Sequence, residues 1–186
     1  MCAGGAPVAG TGHAENGRAG TGHAENGRAG TAPAATVAGM TSDHLPALDV
    51  AALPRACFAF PGPLRDRLVD AILDGSKTST TGLRTAYERE NEPLPRVGER
   101  FAVVDSADRP VAVIEVTEVR VVPLAEVDLA HAVDEGEGHS TVARWRADHE
   151  EYWHGAEHRA ALDDPAFTVD DASLVVLERF RLVRAL

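Results

Sequence analysis

Lysine is nearly absent from this chain: of its 18 basic residues only Lys77 is a lysine, and every other cation is an arginine. Cysteine is as scarce. Cys2 and Cys57 cannot build a disulfide framework, so a reducing cytoplasm is the expected setting. No apolar run approaches the ~18–20 residues of a membrane span. The Gly/Ala-rich start has neither the basic n-region nor the apolar h-region of a secretory signal. An extended basic face is missing as well. The net charge is −11, and residues 126–178 hold 14 acids against three bases, offset only by Arg179, Arg181 and Arg184 after them. Tracking a long phosphate backbone requires a continuous cationic surface. Tight non-specific binding of long nucleic acid is therefore excluded, while a single nucleotide or short RNA element in a pocket is not.

What the chain does contain is enough for one domain, since 44% of its residues are hydrophobic and 25% charged. Residues 11–20 read TGHAENGRAG, and residues 21–30 repeat that decapeptide unchanged. With no large apolar residue, such a segment cannot offset its ordering entropy, so residues 1–40 are expected to be a disordered tail. Met40 opens MTSDHLP and is an alternative start to Met1, which N-terminal sequencing of the native protein would decide.

The folded part is expected from about Leu53 to 186. Pro63 suits the first turn of a helix running to about Asp74, with Gly75 as its stop. SKTSTT reads as a strand or extended turn, and LRTAYEREN as a short polar helix. RFAVVDS and PVAVIEVTEVRVV read as strands joined by ADRP. LAEVDLAHAVDEG has helical spacing, and Ser140 can cap a further helix, TVARWRADHEEYWH. SLVVLERFRLVRA reads as a last strand. This order predicts an α+β fold, a small mixed sheet or partly closed barrel with helices outside.

Several patterns bear on chemistry. GSKTST is not a phosphate-binding P-loop, because Ser76 and Ala71 stand where that motif needs glycine. Lys77 can lose its proton when desolvated, as arginine cannot, and could then activate Thr80. In a regular strand, however, residues three apart face opposite ways. Asp134, Glu135 and Glu137 surround two glycines, an arrangement that is either a solvated acidic loop or a source of a general acid. His149, His154 and His158 lack the spacing and the cysteine of a compact metal site, so neither a metal nor a cofactor is expected. Trp145 reads as core, whereas Trp153 could stack on a base.

Taken together, ILDGSKTSTTGL, YERENEPLPRVGE, EGEGHSTVARWRADHEEYW and VVLERFRLV resemble the ASCH domain family of the PUA-like superfamily, in its longer subgroup carrying EPLPRVG, over about residues 58–184. The resemblance implies a small β-barrel with helices around a cleft and a role with RNA or modified nucleosides. Some ASCH members are amidohydrolases that deacetylate N4-acetylcytidine. By resemblance Lys77 takes the place of their base, Thr80 of their nucleophile and Glu135 of their acid. Their arginine two residues past the threonine is Gly82 here, with Arg84 displaced. Arg84, Arg100 and Trp153 are the expected substrate contacts, and Arg96 is a further candidate for phosphate. The implied partner is a small nucleoside or short RNA element, with no membrane. The alternatives are a non-catalytic nucleotide-binding module and a ribonuclease.

Overall fold

A computed structural model of the chain describes residues 49–186. The repeated decapeptide, Met40, Cys2 and the expected tail over 1–40 lie outside the described residues. After a 3-10 turn at Val50–Ala52 come β1 (Arg55–Ala56), α1 (Pro63–Asp74), β2 (Ser79–Leu83), α2 (Arg84–Glu90), β3 (Arg100–Val104) and β4 (Pro110–Pro123). A turn at Leu124–Glu126 then leads to α3 (Leu129–Asp134), α4 (Val142–Trp153), α5 (Ala156–Ala161) and β5 (Leu174–Ala185).

Local chemistry explains most of these boundaries. Pro63 opens α1 and Gly75 closes it at φ 84°, its N–H returning to the Ile72 carbonyl. Thr141 rather than Ser140 caps α4, its hydroxyl accepting from the Arg144 N–H. The helix expected from Leu124 onward is broken in two. Asp128 accepts the His131 N–H at 2.8 Å and so starts α3 afresh.

The five strands form one mixed sheet in the order β1-β3-β4-β5-β2. Only β1 and β3 are parallel. The long strands β4 and β5 are the spine, paired from Ala112↔Ala185 to Pro123↔Leu174, with irregularities at Val113/Ile114 and Val116/Glu118 that bend the sheet. β3 pairs with the first half of β4, and β2 with the first half of β5.

Two apolar clusters result. One packs Phe58, Leu68, Val69 and Ile72 onto Phe101, Val103, Ile114, Val116 and Phe180. The other gathers Leu83, Leu124, Trp145, Trp153, Val175 and Leu177. No helix among the described residues is long and apolar enough to cross a membrane.

His158 on α5 sits between the rings of Tyr152 and Phe167, at 5.2 and 6.2 Å, with its Nε2 buried and without a hydrogen-bond partner among the described residues. Burial, helped by His154, pushes its pKa down to about 4. An unfolded-chain histidine takes up its proton near pH ~6.5, so this residue lowers stability as pH falls from there toward its folded value. His158→Phe should therefore flatten the acid limb of urea-unfolding midpoints between about pH 7 and pH 5. An acid limb as steep as wild type would assign that loss to other groups.

Candidate functional site

The site is built where the exit of α1 meets the exit of α3. The Lys77 N–H donates to the Ala71 carbonyl at 2.9 Å, and the Thr78 N–H to the Asp134 carbonyl at 2.7 Å. Gly136, at φ 71°, lets the two segments touch backbone to backbone. A Cβ there would stand 2.6 Å from the Ser76 oxygen and 2.7 Å from the Lys77 nitrogen. This clamp aims the lysine. Its Nζ donates to the Glu135 carbonyl and to Glu137 Oε1, each at 3.1 Å, and lies 5.8 Å from the centre of the Phe58 ring. The Lys77 and Glu137 side chains are 0% and 4% exposed, so solvent screens this pair little.

The Glu135 carboxylate turns away from Lys77 into a second buried group. Thr81 Oγ1 donates to Glu135 Oε1 at 2.6 Å and stands 2.9 Å from His131 Nε2. A hydroxyl has one proton to give, so His131 must supply the proton between them, and its Nδ1 has no hydrogen-bond partner among the described residues. Ser79 Oγ donates to the His131 carbonyl. On the other side of Glu135, His149 Nε2 is 3.2 Å from Oε2, though poorly aligned for a hydrogen bond.

Proton accounting fixes the state of that contact. His149 Nδ1 lies 2.9 Å from the Trp145 carbonyl, which can only accept, so Nδ1 carries a proton. Nε2 and Oε2 would then oppose lone pairs unless a second proton sits between them. Burial raises the pKa of Glu135, but the charge of His149, the approach of His131 Nε2 to Oε1 at 3.3 Å and the charge of Lys77 outweigh it and hold the carboxyl well below its usual range. Burial lowers the pKa of His149, and the facing Glu135 charge outweighs that in turn, leaving it raised. The seam is thus an imidazolium–carboxylate pair beside an ammonium–carboxylate pair. Trp145 and Trp153 wall it, their rings 4.2 and 5.2 Å from His149. A further pair, His139 and Asp148, lies next to it, with the His139 ring 6.3 Å from that of His149.

The expected site residues are distributed unevenly around this seam. Lys77 and Glu135 meet, but through the Glu135 carbonyl, and Glu137 is the carboxylate on the lysine. The acidic run Asp134–Glu137 is therefore not a solvated loop: Glu135 is fully buried. Thr80 pairs across the sheet with Glu178, on the face opposite Thr81 and Ser79, and its buried Oγ1 has no hydrogen-bond partner among the described residues.

Arg84 is half-exposed and paired with Glu88 one helical turn on, and Arg100 is paired with Glu115, which also holds Arg181. Arg96 is exposed. Trp153 is fully buried in the second cluster, edge-on to Trp145, so it is a core aromatic like Trp145 and offers no open stacking platform. His154 accepts the Val169 N–H at its Nε2.

Glu178 and Gly136 had no part in the expected site. The signals for them were an acid inside the apolar run LVVLERF and a glycine directly after the candidate acid.

A bent mixed sheet with a buried Lys–Glu–His seam at its edge defines a small α+β domain of the PUA-like kind. The ASCH domain model matches residues 56–184, and the chain belongs to the ASCH family, a PUA-like fold family associated with RNA binding. Two solved structures are similar to it. A protein from Enterococcus faecalis V583, described as DUF984, aligns at TM-score 0.57 and 27% identity over 64% of this chain and 69% of that one. An ASCH domain from Lactobacillus crispatus JV V101 aligns at TM-score 0.55 and 28% identity over 64% of this chain and 72% of that one. No curated protein matches the chain.

Proposed function

We propose that this ASCH domain takes up a single modified nucleoside, or the nucleoside at one end of a short RNA element, and hydrolyses an N4-acylated cytidine. The observation that carries this reading is two buried oxygens without a hydrogen-bond partner among the described residues, Oε2 of Glu137, whose other oxygen holds the lysine, and Oγ1 of Thr80 on the strand that follows Lys77. Buried polar atoms without partners cost free energy, and ligand sites are where such atoms are kept. The family's association with RNA supports a nucleoside, and the acidic surface favours a small neutral one over a polymer.

The proposed reaction balances on Lys77, Glu137 and Thr80. Lys77 first passes a proton to Glu137, 3.1 Å away. Thr80 Oγ attacks the acyl carbon and its proton goes to Lys77. The C–N bond breaks as Glu137 protonates the departing amine, which restores the ammonium–carboxylate pair, and water then releases the acyl group from Thr80. Glu135, which stands where the family places its acid, positions Lys77 through its carbonyl.

The test is incubation of the full chain with N4-acetylcytidine, with chromatography for cytidine. Wild type should form cytidine, and Thr80→Val and Lys77→Arg should each lower the rate about a hundredfold or more, since arginine keeps the charge but is no usable base. Turnover by Lys77→Arg at the wild-type rate would remove Lys77 from that role.

The existing Lys77–Glu137 ion pair favours a second reading, a binding module in which the ammonium is only a fixed charge. Under it wild type binds cytidine but forms none from the acetylated substrate.

A further inference from the structure

Glu178 has no part in the chemistry above, yet it is an acid 5% exposed at the centre of an apolar strand. Its register partners are Thr80 on β2 and Val119 on β4. Tyr87 of α2 donates its phenol to Oε1 at 2.7 Å, while Oε2 makes no hydrogen bond among the described residues. Thr80 Oγ1, on the same face, is unpartnered too, and Gly82, next on that face, adds no side chain.

Two residues along β5, Phe180 lies 5.8 Å ring to ring from Phe58, over which the Lys77 ammonium sits. One face of the sheet thus runs from Lys77 past Phe58 and Phe180 to Glu178, Thr80 and Tyr87.

We propose that Glu178, with Thr80 and Tyr87, is a base-reading subsite that recognises a cytosine-type edge, an amino donor beside a ring-nitrogen acceptor, through a neutral carboxyl group. This rests on the nucleoside reading and deepens it. Because Tyr87 donates to Oε1, Oε1 serves as the carbonyl oxygen and Oε2 as the hydroxyl. The pair then offers one acceptor and one donor side by side, the complement of the cytosine amino group and N3. An ionised carboxylate would instead face the N3 lone pair, whereas it would still accept the N3–H of uracil.

The surroundings favour the neutral form. Burial pushes the carboxyl up to about 7, with the Tyr87 hydrogen bond opposing and the Glu99 charge adding. From α2, Tyr87 carries only an acidic setting of its own, with Glu90 and Glu92 near it.

Cytidine and uridine are titrated into the full chain, wild type and Glu178→Gln, at about pH 6 and about pH 8. Wild type should bind cytidine about tenfold more weakly at the higher pH, and uridine should not follow it. Glu178→Gln keeps a donor beside an acceptor at every pH, so its cytidine affinity should be flat. A flat wild-type profile, or a variant profile as steep as wild type, overturns the subsite while leaving nucleoside binding in place. Failure of wild type to bind any nucleoside overturns the nucleoside reading itself, and the subsite with it. Carbon-13 spectroscopy of the carboxyls reads the same point without a variant. A Glu178 carboxyl titrating near pH ~4.3, as in an unfolded chain, would contradict it.

Discussion

Gly136→Ala should come close to unfolding the domain. The position sits at φ 71°, where an L side chain costs about 1–2 kcal/mol. The added carbon would also meet backbone at 2.6–2.7 Å, at Ser76 and Lys77, and backbone has no rotamer through which to move aside. To relieve the clash the clamp must open, which breaks the Thr78–Asp134 and Lys77–Glu135 hydrogen bonds together. The total should exceed about 4 kcal/mol, a value few single substitutions reach.

Gly138→Ala is the control. Its φ is 83°, but a Cβ there meets nothing within 4 Å, so only the backbone cost of about 1–2 kcal/mol applies. Urea-unfolding midpoints measure both. Equal losses in the two variants would mean that the clamp yields freely and contributes little.

Glu135→Ala is the second large effect expected. It strips the partner from His149, the acceptor from Thr81 and a neighbouring anion from Lys77, all inside a fully buried group. Removing one member of a buried ion pair costs about 3–5 kcal/mol. Glu135→Gln should recover most of that. Its amide oxygen still accepts from Thr81, and its N–H2 donates to a neutral His149, so no second proton is needed.

The two variants also differ from wild type in pH dependence. The Glu135 carboxyl is depressed in the folded state, so its stabilisation is present above the ordinary glutamate range and is lost as pH falls through its folded value. The His149 value is raised, so its stabilisation is complete below about 6.5 and is lost as pH climbs through its folded value. Glu135→Gln should remove both limbs. If it proves as unstable as Glu135→Ala at neutral pH, the network is held by packing and not by the carboxylate.

What the sequence made legible follows from local physics. Pro63 and Gly75 mark both ends of α1, and the β-branched runs mark β3, β4 and β5, because capping, left-handed backbone and alternation act over a few residues. The ASCH motifs brought Lys77 and Glu135 together in advance, and these two do touch. Three features were hidden. Burial of the Asp134–Glu137 run depends on Gly136 meeting Ser76, a contact between distant segments that no local pattern contains. Thr81 rather than Thr80 reaches Glu135 because strand pairing sets which face looks toward α3, and a shift of one residue reverses it. Trp153 looked like a stacking residue because an aromatic on an amphipathic helix is the same in sequence whether it faces core or ligand.

The position of β5 has a consequence for how the molecule is made. Among the described strands β2 neighbours β5 alone, so Thr80 and Glu178 become neighbours only when segments nearly a hundred residues apart in sequence close on each other. During synthesis every other strand leaves the ribosome before β5. Until then β4 lacks one side of its ladder, and the Lys77 clamp has no sheet to rest on. The domain should therefore complete its fold after translation of β5 rather than along with it. Its folding rate should be that of a chain dominated by distant pairings, slower than a helical domain of the same size.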